Sequence, residues 1–419
     1  MHGYERTQPK VDAQTCKERR SIIQAQVKIN EEFHNEYWED LCDLILEYAE
    51  IISWNGEPGY TKLGETFIDT GANEPVKCPV QNLSPDVEKI VMEQVDQWLK
   101  DGTIVPVCDK GSPWHSRILV VPKKRIEGQP QRFRCCIDFR ALNQRCVFTD
   151  KTPFTPFSIQ ETFHMLGRSY LFSTIDLTSA FHSIPIHKPH QFKTAFSVNG
   201  RTYYFAMTPF GLSSAPSSLG KVLERALKNV PRSFCLYYMD DLLIFSKTAR
   251  AHFRHVRIVL QALLEAGLKI NLLKCSFFQV ELQFLGHLIT RDGYQIIPSF
   301  VEPILNWPMV KTKYDVQSFL GSCNYYNEFI DKYSILSKPL SNVLKRPGKD
   351  NEIQKFSKLE YLEIKESMDA LKKALTSPPI LAFADFSEGA SDFILDTDYS
   401  AKHHCIAAIL SQVQPPGVG

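Results

Sequence analysis

The sequence lacks the features that mark several common protein classes. Its eleven cysteines form no CxxC pair and no zinc-type spacing, which predicts reduced thiols in a reducing compartment. The first twenty residues are polar and charged, unlike a secretory leader, and no apolar run reaches membrane-spanning length. With 43% apolar residues among 419, we expect a soluble, intracellular protein with two to four domains.

The sequence also has little net charge, but its charges are unevenly placed. The formal net charge is +1, yet residues 31–69 carry eleven acidic residues and one basic one. Residues 110–151 reverse this, with ten basic and three acidic residues. A solvated basic face is the simpler interpretation, but the charge density and interleaved aromatic residues favour a nucleic-acid or nucleotide contact. The aromatic residues are Trp114, Phe133, Phe139 and Phe148.

Two adjacent carboxylates, Asp240 and Asp241, interrupt an apolar stretch at residues 234–245. The pattern predicts a tight hairpin with both acids at its tip, between two apolar strands. Neighbouring ionised carboxylates repel each other unless a cation or basic partner compensates them. The pair is therefore a candidate metal site, with a solvated turn as the alternative.

A second acidic motif, Asp69-Thr70-Gly71-Ala72, matches the signature of retroviral-type aspartic proteases. Such a protease would need strands on both sides of the motif. Upstream, however, apolar spacing predicts an acidic helix over residues 31–52, and the polar sequence Asn73-Glu74-Pro75 follows. We therefore favour a structural role for Asp69.

The rest of the chain predicts alternating helices and strands. Ser84-Pro85 begins an amphipathic helix that ends before Gly102. Strands at 118–121 and 134–137 bracket a basic turn, 123–130, which suits a flap over a triphosphate. Further predicted elements are a strand at 171–176, a strand region at 202–210, a helix opening within 210–216, a helix at 251–266, one strand and a turn over 284–293, two helices within 314–344, a helix at 360–375, a linker at Pro378-Pro379 and a strand at 393–398. His252 and His255, on the helix at 251–266, are expected to be solvated rather than metal-bound.

In this order, the motifs over residues 36–412 resemble the reverse transcriptase portion of a gypsy-type LTR retrotransposon Pol polyprotein, followed by the start of RNase H. Seven motifs in series carry the resemblance. They are Ser112-Pro113-Trp114, Arg132-Phe133-Arg134 with Asp138-Phe139-Arg140-Ala141-Leu142-Asn143, Asp176-Leu177 with Phe196, Pro209-Phe210-Gly211-Leu212, Tyr238-Met239-Asp240-Asp241, Phe284-Leu285-Gly286 and Phe319-Leu320-Gly321.

The resemblance implies an α+β fold, a right-hand polymerase with fingers, palm and thumb around an antiparallel palm sheet, then a connection and an incomplete RNase H-like segment. The expected domains are an acidic helical lead-in (1–75), fingers and palm (76–295), thumb (296–350), connection (351–379) and a truncated RNase H-like start (380–419).

The implied activity is RNA-directed DNA polymerase, a nucleotidyltransferase that adds dNTPs to a primer 3′-hydroxyl by a two-metal mechanism. The resemblance implies that Asp176, Asp240 and Asp241 are catalytic and bind two Mg²⁺ ions, with Mn²⁺ as an alternative and help from the backbone of Leu177. Oxygen ligands of this kind suit Mg²⁺.

Further site residues follow from the same resemblance. Lys124 and Arg134 would grip the triphosphate, with Lys123 or Arg125 as alternatives to Lys124. Phe181 and Phe210 would contact the nucleotide, and the Phe181 ring would exclude a 2′-hydroxyl. The implied primer grip is Phe284, Leu285 and Gly286. Asp398, in preference to Asp396, would be the first RNase H metal ligand. The sequence Ala180-Phe181-His182-Ser183 departs from the usual Gly-Tyr-His-Gln. Because the other RNase H acids do not appear, we expect no RNase H activity.

The expected partners are an RNA template, a DNA/RNA primer-template duplex and dNTPs, with the capsid or integrase of the same element as further candidates and no membrane. The expected location is a cytoplasmic virus-like particle, with the nucleus as the alternative. Two rival hypotheses remain: a catalytically silent or domesticated nucleic-acid-binding fragment, and an aspartic protease acting through Asp69.

Overall fold

The computed structural model describes residues 13–80, 83–107, 111–122, 131, 133–147, 159–166, 169–291, 293–376, 381, 390–400 and 405–413. The chain divides into two compact units, one comprising Met1–Ser158 and Leu171–Gln279 and the other Ile159–Tyr170 and Val280–Gly419. Within the described ranges, no helix is both long and apolar enough to cross a membrane. The division into five functional domains stays a prediction.

The helices follow the predicted amphipathic patterns in most places. They are α1 (Ala13–Gln26), α2 (Glu31–Glu47), α3 (Pro85–Lys100), α4 (Arg140–Asn143), α5 (Ile159–Leu166), α6 (Ala215–Ala226), α7 (Ala249–Ala266), α8 (Pro298–Leu305), α9 (Lys313–Asn324), α10 (Tyr333–Leu336), α11 (Lys338–Leu344) and α12 (Lys358–Thr376). Helix α7 shows why the sequence sets such bounds. The Thr248 side chain accepts a hydrogen bond from the Ala251 N–H at its start, and Gly267 ends it with φ +68°.

The strands are short and pair antiparallel within each sheet. They are β1 (Ile104–Pro106), β2 (Arg117–Pro122), β3 (Phe133–Asp138), β4 (Leu171–Asp176), β5 (Phe196–Val198), β6 (Arg201–Phe205), β7 (Cys235–Tyr238), β8 (Asp241–Ser246), β9 (Ser276–Gln279), β10 (Leu282–Phe284), β11 (His287–Ile289), β12 (Tyr294–Ile296), β13 (Phe393–Ser400) and β14 (Cys405–Gln412). The mixture of helices with antiparallel sheets is the predicted α+β class.

The centre of the first unit is a four-stranded sheet in the order β7-β8-β4-β9. Its two middle strands are almost wholly buried, which explains why both read as apolar runs in the sequence. Helix α7 packs on β4 and β8 through its buried face. This sheet carries Asp176 at the end of β4 and Asp241 at the start of β8.

A second core in the first unit supports the basic hairpin formed by β2 and β3. Trp114 and Phe139 belong to this core and are almost fully buried. These two aromatic side chains therefore stabilise the core and add no exposed ring to the basic region. Phe133 is exposed, whereas Phe148 and the turn at 123–130 lie outside the described residues.

In the second unit, two predicted elements differ from the structure. The stretch beginning at Phe284 was expected to be one strand, but Leu285 and Gly286 form a turn between β10 and β11. Positive φ angles at both turn residues reverse the chain. The region 314–344 contains α9, α10, α11 and a 3-10 turn at Asn327–Phe329 rather than two helices, because short breaks separate its apolar segments.

Candidate active site

Two predicted catalytic acids face each other across neighbouring strands. Asp176 and Asp241 are directly paired residues of β4 and β8. Directly paired residues on antiparallel strands place their side chains on the same face, with Cβ atoms roughly 4.5–5.5 Å apart. All six residues of β4 pair in register with all six residues of β8, so the sheet itself brings these distant acids together.

The third acid lies in the turn beside them. Tyr238 pairs with Asp241, which leaves Met239 and Asp240 as the two turn residues of the β7-β8 hairpin. Met239 has φ +58°, a left-handed conformation. The Asp240 carbonyl oxygen accepts a hydrogen bond of 3.2 Å from the Leu177 N–H. The predicted hairpin is confirmed with one correction: only Asp240 is in the turn, and Asp241 begins the strand.

Lys274 supplies the basic partner that the carboxylates require. Its Nζ lies 3.2 and 3.1 Å from the two carboxylate oxygens of Asp176. Partial burial raises the pKa of Asp176, while the hydrogen bond from Lys274 opposes that shift. The pKa of Asp241 is raised to about 6 by partial burial and then by the charges of Asp240 and Asp176, although Asp241 lies at the surface. The site thus concentrates more negative charge than one ammonium neutralises.

The donor chemistry fits a hard divalent cation. Three carboxylates that repel one another gain from a shared cation, and partial burial disfavours the ionised forms of Asp176 and Asp241. In the described part of the chain, however, no three His, Cys, Asp or Glu side chains converge into a ready-made metal cage. Asp240 and Asp241 are adjacent along the backbone, Asp176 lies on the neighbouring strand, and Lys274 bonds to Asp176.

The rings of Phe181, Phe210 and His182 cluster in the same unit and form what we call the aromatic wall. The rings of Phe181 and Phe210 meet edge-to-face with centroids 5.2 Å apart, and the His182 ring lies 5.3 Å from Phe210. Phe210 is 52% exposed despite its size, so a large apolar face is available to a ligand. Burial lowers the pKa of His182 to about 4, which keeps this wall uncharged at neutral pH.

The predicted phosphate-gripping residues are only partly described. Arg134 is exposed on β3, opposite Val121 of β2. Lys124 and its alternatives Lys123 and Arg125 lie outside the described residues. The hairpin that would carry them is present, since β2 and β3 pair over six residues each.

The predicted primer-grip turn, Leu285-Gly286, is fixed from two sides within the second unit. The Leu285 carbonyl accepts hydrogen bonds of 2.7 Å from the Tyr325 hydroxyl and from Nδ1 of His287. Gly286 has φ +72°, and a Cβ there would lie 3.2 Å from the Tyr326 hydroxyl oxygen. Leu285 is itself left-handed, with φ +47°.

Asp69 is engaged in backbone structure. Its Oδ1 accepts a 2.8 Å hydrogen bond from the Gly71 N–H, and its carbonyl accepts one of 2.7 Å from the Val147 N–H. These bonds form a turn tied to a neighbouring segment, in agreement with a structural role.

The two candidate RNase H acids lie on β13, which continues past Asp398 to Ser400 and pairs with β14. Asp396 is exposed, and the Asp398 side chain is outside what the structure describes.

The contacts of two residues in this region were not predicted from the sequence. Lys274 belongs to none of the sequence motifs, because only the folded chain brings it close to Asp176. His252 was predicted to be solvated, and this was wrong: its side chain is completely buried against β4 and β8, while His255 is partly exposed. Apolar residues at 256, 259, 260 and 263 mark the inward face of α7, and His252 precedes Val256 by one helical turn. That spacing could have identified it.

Comparisons with known proteins agree with this geometry. Residues 121–289 match the family described as reverse transcriptase (RNA-dependent DNA polymerase). The Pol polyprotein of transposon gypsy from Drosophila melanogaster is 35% identical over 388 residues, which cover 90% of this chain and 36% of that protein. The polyprotein of transposon 297, from the same organism, is 33% identical over 368 residues, covering 88% and 33%. The chain thus spans about a third of the length of these relatives.

A foamy viral protease-reverse transcriptase, solved in complex with double-stranded DNA, shares the fold with a TM-score of 0.73 at 24% identity, over 97% of this chain and 79% of that one. The chain therefore has the α+β fold of reverse transcriptases. The resemblance to the reverse transcriptase portion of gypsy-type LTR retrotransposon polyproteins is confirmed.

Proposed function

We propose that this chain is an RNA-directed DNA polymerase of a retrotransposon that adds dNTPs to a primer 3′-hydroxyl. The observation that carries the proposal is the direct pairing of Asp176 with Asp241, with Asp240 in the adjoining turn. This arrangement lies inside the region that matches the reverse transcriptase family. The family match and the three acids therefore both support nucleotide addition at the ends of β4 and β8.

The proposed metal ligands are Asp176, Asp240 and Asp241, with the backbone of Leu177, and the proposed ions are two Mg²⁺, with Mn²⁺ as an alternative. Two such ions would activate the primer hydroxyl and neutralise charge on the α-phosphate and pyrophosphate. The protein holds the carboxylates close together through the β4-β8 register, so little reorganisation of the backbone is required. Lys274 compensates part of their charge before metal binds.

The proposed nucleotide pocket combines an uncharged aromatic wall with a basic hairpin. Phe181 and Phe210 would lie against the sugar and base, whereas Arg134 and Lys124 would contact the triphosphate. A ring at Phe181 leaves no room for a 2′-hydroxyl. We therefore expect Phe181→Ala to admit ribonucleotides. Equal discrimination against ribonucleotides by this variant and the wild type would contradict the steric role.

The proposed nucleic-acid partners are an RNA template and a primer-template duplex. The foamy viral enzyme that shares the fold was solved with double-stranded DNA, which supports a duplex as ligand. The turn at Phe284, Leu285 and Gly286 is the proposed primer grip. We also propose the capsid or integrase of the same element as a partner and a cytoplasmic virus-like particle, or the nucleus, as the location.

The decisive experiment is primer extension on an RNA template with Mg²⁺ and dNTPs. We expect Asp240→Asn to reduce extension by at least about a hundredfold, because a metal ligand contributes several kcal/mol of transition-state stabilisation. Asp96→Asn, at an exposed position on α3, is the matched control and should extend like the wild type. Equal extension by Asp240→Asn and wild type would overturn the assignment of the acids.

A further inference from the structure

A buried hydrogen-bonded chain lies behind the two strands that carry the catalytic acids. His252 of α7 is completely buried, as is Ser173 of β4, and Ser246 of β8 is nearly so. Nε2 of His252 lies 2.7 Å from Oγ of Ser173, and its Nδ1 lies 2.8 Å from Oγ of Ser246. One imidazole therefore bridges both strands at their non-catalytic face.

The strand pairing places these hydroxyls on the face opposite the acids and toward the other end of β4 and β8. Ser173 precedes Asp176 by three residues and Ser246 follows Asp241 by five, so alternation puts both hydroxyls on the opposite face from the acids. Ser246 pairs with Leu171, two residues from Ser173, so the hydroxyls are diagonal neighbours. The imidazole of His252 contacts both hydroxyls from the side of the sheet on which α7 packs.

The partners shown are consistent with one set of hydrogen-bond directions. The Phe278 N–H can only donate, and it gives Ser173 Oγ a bond of 3.1 Å. If the Ser173 hydroxyl donates to Nε2 of His252 and Nδ1 of His252 donates to Ser246, both serines and the imidazole are satisfied. Burial, followed by the charge of His255, lowers the pKa of His252 to about 3, which agrees with a neutral ring.

The bridge coincides with a break in the regular sheet. The β4-β9 pairing shifts register between Phe172 and Thr174, that is, at Ser173. Phe278, opposite this irregularity, has φ +49° and packs its ring edge-to-face on His252 at 4.8 Å. At this point, the Phe278 N–H is bonded to the Ser173 side chain instead of a strand carbonyl, so the β9 side of β4 has an interrupted ladder, whereas the β8 side pairs without a break.

We propose that His252 is a positioning residue that holds β4 and β8 in the register that sets Asp176 opposite Asp241. This inference rests on the proposed polymerase function. A slip of one residue would turn Ser246 away from His252 and place a different residue opposite Asp176. The imidazole can bond to both hydroxyls only in the register in which both face it.

A triple variant separates positioning from stability. In Ser173→Ala/His252→Leu/Ser246→Ala, the buried imidazole and both hydroxyls are removed together, and such joint apolar replacements are often neutral for stability. Only the Phe278 N–H and Nδ1 of the partly exposed His255 lose a serine partner. We expect its thermal midpoint to stay near that of the wild type while its dissociation constant for Mn²⁺, measured by the electron paramagnetic resonance of free Mn²⁺, rises at least about tenfold. Wild-type stability together with wild-type Mn²⁺ affinity would overturn the proposal.

A second variant covers the case in which the triple variant does not fold. His252→Gln keeps one amide near the two hydroxyls, and hydrogen exchange of the amides of Leu242 to Ser246 reports the pairing of β8. We expect faster exchange and weaker Mn²⁺ binding together; faster or unchanged exchange with unchanged Mn²⁺ binding would overturn the proposal. His255→Leu, on the same helix, is the control. Of these two strands, the His255 imidazole bonds only to β8, at Ser246 and the Phe245 backbone, so this variant should bind Mn²⁺ like the wild type.

The wild-type protein and Asp176→Asn distinguish the two levels of inference. If the wild type neither extends primers nor binds Mn²⁺ more tightly than Asp176→Asn, the proposed function fails. If the wild type passes both tests and the triple variant equals it, only the positioning role of His252 fails.

Discussion

Two hairpin turns, Met239-Asp240 and Leu285-Gly286, are built alike and stabilised differently. Each is a two-residue connection between antiparallel strands, and each contains a non-glycine residue with positive φ. A buried histidine whose pKa burial lowers contacts the strands that carry the acids at the first turn, and another contacts the second turn directly. His252 bonds to side chains of two strands, whereas His287 bonds to the carbonyl of its own turn.

The difference follows from what each turn presents. The first presents carboxylates, whose mutual repulsion favours separation of the strands, so register must be held from the opposite face of the sheet. The second presents backbone and apolar groups, so direct hydrogen bonds to the turn are sufficient. The contacts that stabilise the charged turn therefore lie away from it, whereas those of the uncharged turn bond to it directly.

The largest expected effect is acid destabilisation through His252. With an ordinary pKa of 6.5 and a folded-state pKa of about 3, the ring is neutral in both states above pH 6.5. Below pH 6.5 the unfolded chain binds a proton that the folded chain does not, so stability falls as pH decreases toward 3. At pH 5 the loss is about 2 kcal/mol.

The triple variant of Ser173, His252 and Ser246 lacks this imidazole, so its denaturant-derived stability should fall less between pH 7 and 5 than that of the wild type. Equal pH dependence in the two proteins would contradict a buried, neutral His252.

The next effect is at the second turn. Gly286→Ala adds a Cβ at φ +72°, which costs about 1 kcal/mol, and places it 3.2 Å from the Tyr326 hydroxyl. We expect extension to fall about tenfold, mainly through a higher KM for primer-template. Gly200→Ala has nearly the same φ, +69°, but open space around its Cβ, and should extend normally. Equal activities of the two variants would argue against a constrained primer-grip turn.

The sequence predicted those parts of the fold that depend on local pattern. The apolar runs gave β4 and β8, and Gly267 gave the end of α7, because burial and helix ends leave direct marks on residue order. The acids that we propose as catalytic were identified through motifs resembling those of a known family. By contrast, the partners of Asp176 and Leu285, namely Lys274 and Tyr325, come from distant segments, and no spacing rule connects them.

A buried polar residue was the main source of error. The prediction that His252 and His255 are solvated rests on the lack of a third metal ligand near them in the sequence. The spacing from Val256 places His252 on the inward face of α7, but its two hydroxyl partners come from other strands, and the helix sequence does not show them. Likewise, Trp114 and Phe139 lie among basic residues in the sequence but point into a core.

Tyr325→Phe tests the direct bond to the second turn. Removing the hydroxyl leaves the Leu285 carbonyl with its bond from His287. The lost bond contributes about 0.5–1.5 kcal/mol, so we expect about a fivefold rise in KM for primer-template with little change in kcat. Tyr314→Phe, at an exposed tyrosine, serves as control. A purely kcat-based defect would indicate that Tyr325 acts elsewhere.

The smallest effect concerns Lys274 at the first turn. Its ammonium bonds to both oxygens of Asp176 and must give way, at least in part, when that carboxylate binds a cation. Because the lysine side chain is 64% exposed, the ion pair contributes at most about 1 kcal/mol. Lys274→Met should therefore bind Mn²⁺ about threefold more tightly, and Lys228→Met, at an exposed position, should bind it like the wild type. Weaker Mn²⁺ binding by Lys274→Met would show that the ammonium organises Asp176 for the ion instead of competing with it.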